Sequence, residues 1–129
     1  MAIRGYTIIA PSQSIGVAAS DETTPLTTGT QKTTFRMPYG FELTAVRANV
    51  TTAPIGSAIV VDINQNGTTI LSTKISIDSG QSTSTTSSIP PVISTSTLTD
   101  DAQITVDIDA VGSQIAGTGL KIWLIGSKS

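Results

Sequence analysis

Apolar side chains recur at every second position along this chain, and no window of eleven or more residues carries an i, i+3, i+4, i+7 stripe. Ile59, Val61 and Ile63 alternate with Val60, Asp62 and Asn64. Ile104, Val106 and Ile108 alternate with Thr105, Asp107 and Asp109. Leu120, Ile122 and Leu124 alternate with Lys121, Trp123 and Ile125. Successive side chains of a strand point to opposite faces, so this period puts one set inward and leaves the other toward solvent. β-Branched Val, Ile and Thr dominate these runs, and they suit a pleated surface better than a helix. The expected fold class is all-β: a two-sheet antiparallel sandwich, jelly-roll-like, of seven or eight strands. The expected inward set is Ile59, Val61, Ile63, Ile75, Ile77, Ile104, Val106, Ile108, Leu120, Ile122 and Leu124.

Turn residues divide the strands. Asn66-Gly67 supplies two residues that tolerate φ > 0, so a type I′ hairpin is expected between strands at Ile59–Gln65 and Thr68–Thr73. Phe41, Leu43 and Ala45 share one phase, whereas Val46, Ala48 and Val50 share the other. A slip between Ala45 and Val46 predicts a β-bulge or a strand that changes sheet. Ser82–Ser88 consists only of Ser and Thr, and composition leaves a solvated strand face and a loop equally open. Pro90-Pro91 permits only an edge or a loop, and Val92–Leu98 is a further short strand candidate. Residues 1–31 read as an irregular N-terminal arm, with one short strand around Thr23 to Leu26, and residues 32–129 as the sandwich domain.

A length of 129 residues supports one domain. Charged residues are only 12%, about half the usual share near 25%. Ser and Thr, 38 positions together, supply the polarity instead. The net charge of -2 argues against nucleic-acid binding, which needs a clustered basic footprint. The chain has no His and no Cys, which removes imidazole and thiolate zinc sites, Ser-His-Asp and Cys-His catalysis, and disulfides. No stretch approaches the eighteen apolar residues of a membrane span, and the start reads as mature sequence. No enzyme activity, cofactor or membrane partner is expected.

Few constellations suggest chemistry. Asp107 and Asp109 lie two apart on one strand face, with Asp100 and Asp101 upstream, and could supply oxygens to calcium. The plainer reading is a half-buried strand's solvent face and the acids of a turn. Gly112, Gly117 and Gly119 match no phosphate-loop spacing and read as a tight loop. Trp123 shares a face with Lys121 and Ile125, opposite the inward set. Three readings stay open for it: an interface with another subunit, burial within its own subunit, or a sugar-stacking platform. Ile3, Tyr6, Ile8 and Ile9 are too apolar for a purely solvated arm and are candidates for burial against a partner.

Ser20-Asp21-Glu22-Thr23-Thr24, Phe35-Arg36-Met37-Pro38-Tyr39, Ala45-Val46-Arg47-Ala48 and Ala53-Pro54-Ile55-Gly56 follow one another in an order that extends to residue 126. Val61–Leu71, Ile75-Ser76-Ile77-Asp78, Ile104–Asp109, Val111-Gly112-Ser113 and Gly117–Lys121 complete it. This series resembles a recurrent β-sandwich domain of tailed-bacteriophage virion proteins, used in tail fibres, baseplates and capsid decoration proteins. The resemblance covers residues 18 to 126 and brings no catalytic residues. With no heptads and only about thirty residues ahead of the sandwich, it implies a capsid decoration (cement) protein on the virion's capsid surface. Such proteins are commonly trimers that clamp the major capsid protein. The alternative is a tail-fibre or receptor-binding module that recognises host surface glycan.

Overall fold

The architecture follows from two sheets, each with two central strands that carry a neighbour on both sides. A computed structural model describes residues 12–129, together with the backbone of β1 (Ala2–Ile3) and β2 (Tyr6–Thr7). The remaining strands are β3 (Gln13–Ala18), β4 (Gly29–Arg36), β5 (Phe41–Asn49), β6 (Ile59–Gln65), β7 (Thr68–Thr69) and β8 (Leu71–Thr73). They continue with β9 (Ile75–Ile77), β10 (Val92–Ile93), β11 (Thr97–Leu98), β12 (Gln103–Ala110) and β13 (Lys121–Lys128). One sheet has the order β11-β5-β13-β3. The other has the order β4-β12-β6, with β7 and β9 both paired to β6. All these pairs are antiparallel.

The chain changes sheet at almost every connection. It passes from β3 to β4, β5 and β6 by alternating between sheets, keeps β7 and β9 in the sheet of β6 while β8 and β10 pair apart as a two-stranded ladder, then alternates again through β11, β12 and β13. The first of these strands therefore lies beside the last, β3 against β13, and β4 lies against β12. This is the rolled double Greek key of a jelly roll. Among the described residues, no helix is long and apolar enough to cross a membrane.

All eleven residues of the expected inward set are buried, joined by Met37, Phe41, Leu43, Val46, Ala48, Ile70, Leu71 and Leu98. The period of two predicts this because each inward side chain meets its counterpart across the gap between sheets. The phase slip in β5 is a bulge. Ile125 stands opposite Ala45, but Gly126 stands opposite Leu43, so Thr44 has no register partner on β13 and its hydroxyl donates to Ile125 O at 3.2 Å instead. Asn66 and Gly67 have φ of 49° and 86°, the left-handed pair of a type I′ hairpin.

The return strand is shorter than expected. It breaks at Ile70, whose side chain is buried and whose carbonyl accepts from Ser94 and Thr95 N–H. Beyond it, β8 leaves β6 to pair with β10. Ser82–Ser88 is a loop with one 3-10 turn, Ser84–Thr86, and Ser84 is buried because its hydroxyl accepts from the Ala48 N–H at 2.9 Å.

The boundary of the N-terminal arm moves. Gln13–Ala18 forms the edge strand β3, with Ile15 packed against the core, so the domain begins well before residue 32. Residues 23–26 form no strand. Side-chain caps order this segment instead: the Asp21 carboxylate accepts from Thr23 N–H (3.0 Å), Thr24 N–H (2.7 Å) and the Thr24 hydroxyl (2.8 Å). Leu26 then enters the core, and its N–H donates to Gly117 O at 2.9 Å. Polar composition concealed this order, because Asp, Ser and Thr satisfy backbone groups that a strand would otherwise pair.

Candidate functional site

On the outer face of the β11-β5-β13-β3 sheet, register sets Trp123 between Arg47 of β5 and Gly16 of β3. The indole lies over Gly16, where a side chain would have no room: a Cβ there would stand 2.5 Å from the ring. Its Nε1–H donates to Asn49 Oδ1 at 2.7 Å, which fixes the ring in its plane. The residue remains 39% exposed. One ring face is therefore spent on the sheet and the other is open.

Ser14, Arg47, Ala48, Asn49, Thr83, Thr85, Trp123 and Ile125 line an open depression of about 450 Å³. Its far wall comes from the Ser/Thr loop, bridged to the sheet between Asn49 and Thr83. Within it the Thr83 and Thr85 hydroxyls lie 3.1 Å apart. Arg47 carries the formal charge of the depression and makes no ion pair or hydrogen bond with another described residue. Lys121, next along β13, is committed elsewhere: its Nζ reaches Glu22 at 2.5 Å and donates to Gly119 O at 3.0 Å. The Lys121 ammonium, with the Thr51 hydroxyl, holds the Glu22 carboxyl below its ordinary range.

The acids of β12 are arranged differently from a cation site. Asp107 is only half exposed. It accepts from Gln31 N–H at 2.8 Å and from Asn64 Nδ2–H at 3.0 Å. Gln31 presents that N–H from a φ of 52°, at a bulge where three residues of β4 oppose Asp107 alone. Asp109 is itself bulged out of the β12–β6 ladder and receives Lys74 Nζ at 2.5 Å. Lys74 also lies 4.0 Å from Asp62, which is only 6% exposed and accepts from Ile63 N–H and the Thr69 hydroxyl. The expected solvent face of β12 is closed at Thr105, which is buried, and half closed at Asp107, while Asp109 stays exposed with the Lys74 ammonium against it. The hydrogen bond to Asp109 raises the Lys74 pKa, supported by the charges of Asp109, Asp62 and Asp107. Among the described residues no three His, Cys, Asp or Glu side chains converge as metal ligands.

β1 and β2 form a two-residue ladder that sets Ile3 opposite Tyr6. Ile8 and Ile9 lie outside the described residues. Sequence reasoning singled out Trp123 but missed Arg47, Asn49, Thr83 and Thr85. Only Arg47 and Asn49 had a readable signal, being outward positions on the shifted phase of β5. Exposed Ile89 (60%), Val92 (50%) and Ile115 were missed as well.

The fold defines a jelly-roll sandwich whose outer sheet face carries one aromatic platform. No family model matches the chain, and no curated protein matches it. A solved structure of the Drosophila NLP core, described as giving insight into pentamer formation and histone binding, covers 92% of this chain and 99% of its own at 12% identity and a TM-score of 0.46. That likeness is too slight to carry an argument about fold or partners.

Proposed function

We propose that the protein is a structural component of a tailed-bacteriophage virion: a homotrimeric capsid decoration protein that reinforces the shell by bridging subunits of the major capsid protein, without catalysis. The observation that carries this reading is the ordered series of motifs over residues 18 to 126 that resembles the virion sandwich domain. Two surface features support it. Exposed Ile89 and Val92 flank Pro90-Pro91, an apolar strip suited to a permanent contact. The low charge density makes such a contact tolerant of salt.

The test is occupancy and protection of purified capsids under heat challenge. The relevant truncation removes residues 1–11 and stops short of β3, because a cut inside Gln13–Ala18 would unmake the sheet edge. The untruncated chain should saturate capsids at symmetry-related positions and raise their disruption temperature. Loss of protection on truncation would assign part of the contact to Ile3, Tyr6, Ile8 and Ile9. Protein found only on tails would overturn the capsid reading in favour of a receptor-binding module. The open face of Trp123 favours that second reading.

A further inference from the structure

We propose that the depression beside Trp123 binds an acidic sugar, a pyranose carrying a carboxylate. This goes beyond shell reinforcement and stands or falls separately from it.

The ring provides the platform. Pyranose rings present apolar C–H faces and hydroxyl edges, and a fixed indole with one open face matches the former. Trp123 is held on both counts that matter, seated against Gly16 and tethered through Nε1 to Asn49. No rotamer freedom has to be lost when a ligand stacks on it. The walls supply the edge contacts: hydroxyls of Ser14, Thr83 and Thr85, and the Asn49 amide, whose Nδ2–H₂ remains a donor after its Oδ1 accepts from the indole. A volume of about 450 Å³ lies in the range of small-ligand sites, which run from about 300 to 1,000 Å³.

Arg47 selects the charge of the ligand. The planar guanidinium matches a carboxylate bidentately and has no partner among the described residues. Among the described residues no carboxylate lines the depression to compete for it. Two other acids are engaged elsewhere, Glu42 by the Ser96 and Thr97 hydroxyls and Glu22 by Lys121. A nucleotide could also stack on Trp123, but the chain's net charge of -2 disfavours a phosphate-bearing polymer.

Trp123 is the one tryptophan of the chain, so its emission reports the site directly. The probes are methyl glucuronide, a methyl sialoside, methyl glucoside and a mononucleotide, titrated into the full chain and followed by fluorescence and by amide NMR. At least one acidic glycoside should bind about tenfold tighter than the neutral one, the size expected of a hydrogen bond to a charged group. Comparing the two acidic probes separates uronic from sialic-type ligands. Arg47→Gln should bring the acidic-to-neutral affinity ratio down to about one, whatever it does to the absolute affinity for neutral sugar. Trp123→Ala, read by NMR on protein whose amide dispersion is intact, should abolish binding of all sugars. Equal binding of acidic and neutral glycosides, no response to any sugar, or a response to the mononucleotide alone would each overturn the proposal.

Discussion

Trp123 rests on Gly16 across the β3–β13 ladder, and a single methyl group at residue 16 would stand 2.5 Å from the indole ring. The two residues are 107 positions apart in sequence, yet one determines what the other can be. The glycine exposes backbone at a sheet edge, and the ring covers it.

Gly16→Ala should force the ring off the sheet and break its hydrogen bond to Asn49. The ring has solvent to swing into, so the cost is that bond and some contact area, about 1 kcal/mol. A red shift of tryptophan emission, with a small fall in thermal midpoint, is the expected result. An unshifted spectrum would mean the ring does not need the glycine.

Val106→Ala should cost about 1–3 kcal/mol, because Val106 is buried on the central strand β12, where neighbours on both sides prevent collapse onto the cavity. Urea denaturation at constant slope measures it. A change below about 0.5 kcal/mol would contradict the close packing expected of a core position.

Gly67→Val isolates backbone strain from crowding. No atom lies within 4 Å of the position a Cβ would take, but φ is 86°. A β-branched residue held there should destabilise the hairpin by about 1–2 kcal/mol, and Gly67→Asn by less, since Asn visits the left-handed region more readily. Chemical denaturation of the two variants side by side tests the ordering.

Asp21 and Glu22 should make stability fall in acid. The Thr24 and Thr23 N–H groups with the Thr24 hydroxyl lower the first carboxyl, and Lys121 with Thr51 lowers the second. Each contributes stability that is fully present above its unfolded value, near 4, and is lost as pH falls through the folded value. Carbon-detected NMR titration should place both below their unfolded values. Glu22→Gln should flatten the fall of stability in that window.

Lys74→Met should destabilise by no more than about 1 kcal/mol, because the Lys74–Asp109 pair is partly exposed and screened. The loss should shrink as salt is raised. With the raised pKa of Lys74, the pair's contribution is fully present below the unfolded lysine value and lost only as pH rises through the folded one.

Much of the fold was legible in the order of residues. A period of two needs no tertiary knowledge, and it identified the buried faces of β6, β9, β12 and β13. The Asn66-Gly67 turn and the slip at Ala45 were equally local, because each is written in consecutive residues. The ordering of residues 13–26 was not. β3 is short and flanked by turn residues, and its pairing with β13 joins positions about a hundred apart that no local pattern reveals. The same limit applies to β12, where alternation marked Thr105 and Asp107 as outward but could not show what would cover them. Trp123 shows both sides: its outward phase came from alternation along β13, whereas the glycine beneath it, the amide that tethers it and the arginine beside it were assembled by register between strands distant in sequence. Side-chain direction along a strand is set by the pleat; which strands become neighbours is set by packing of the whole domain.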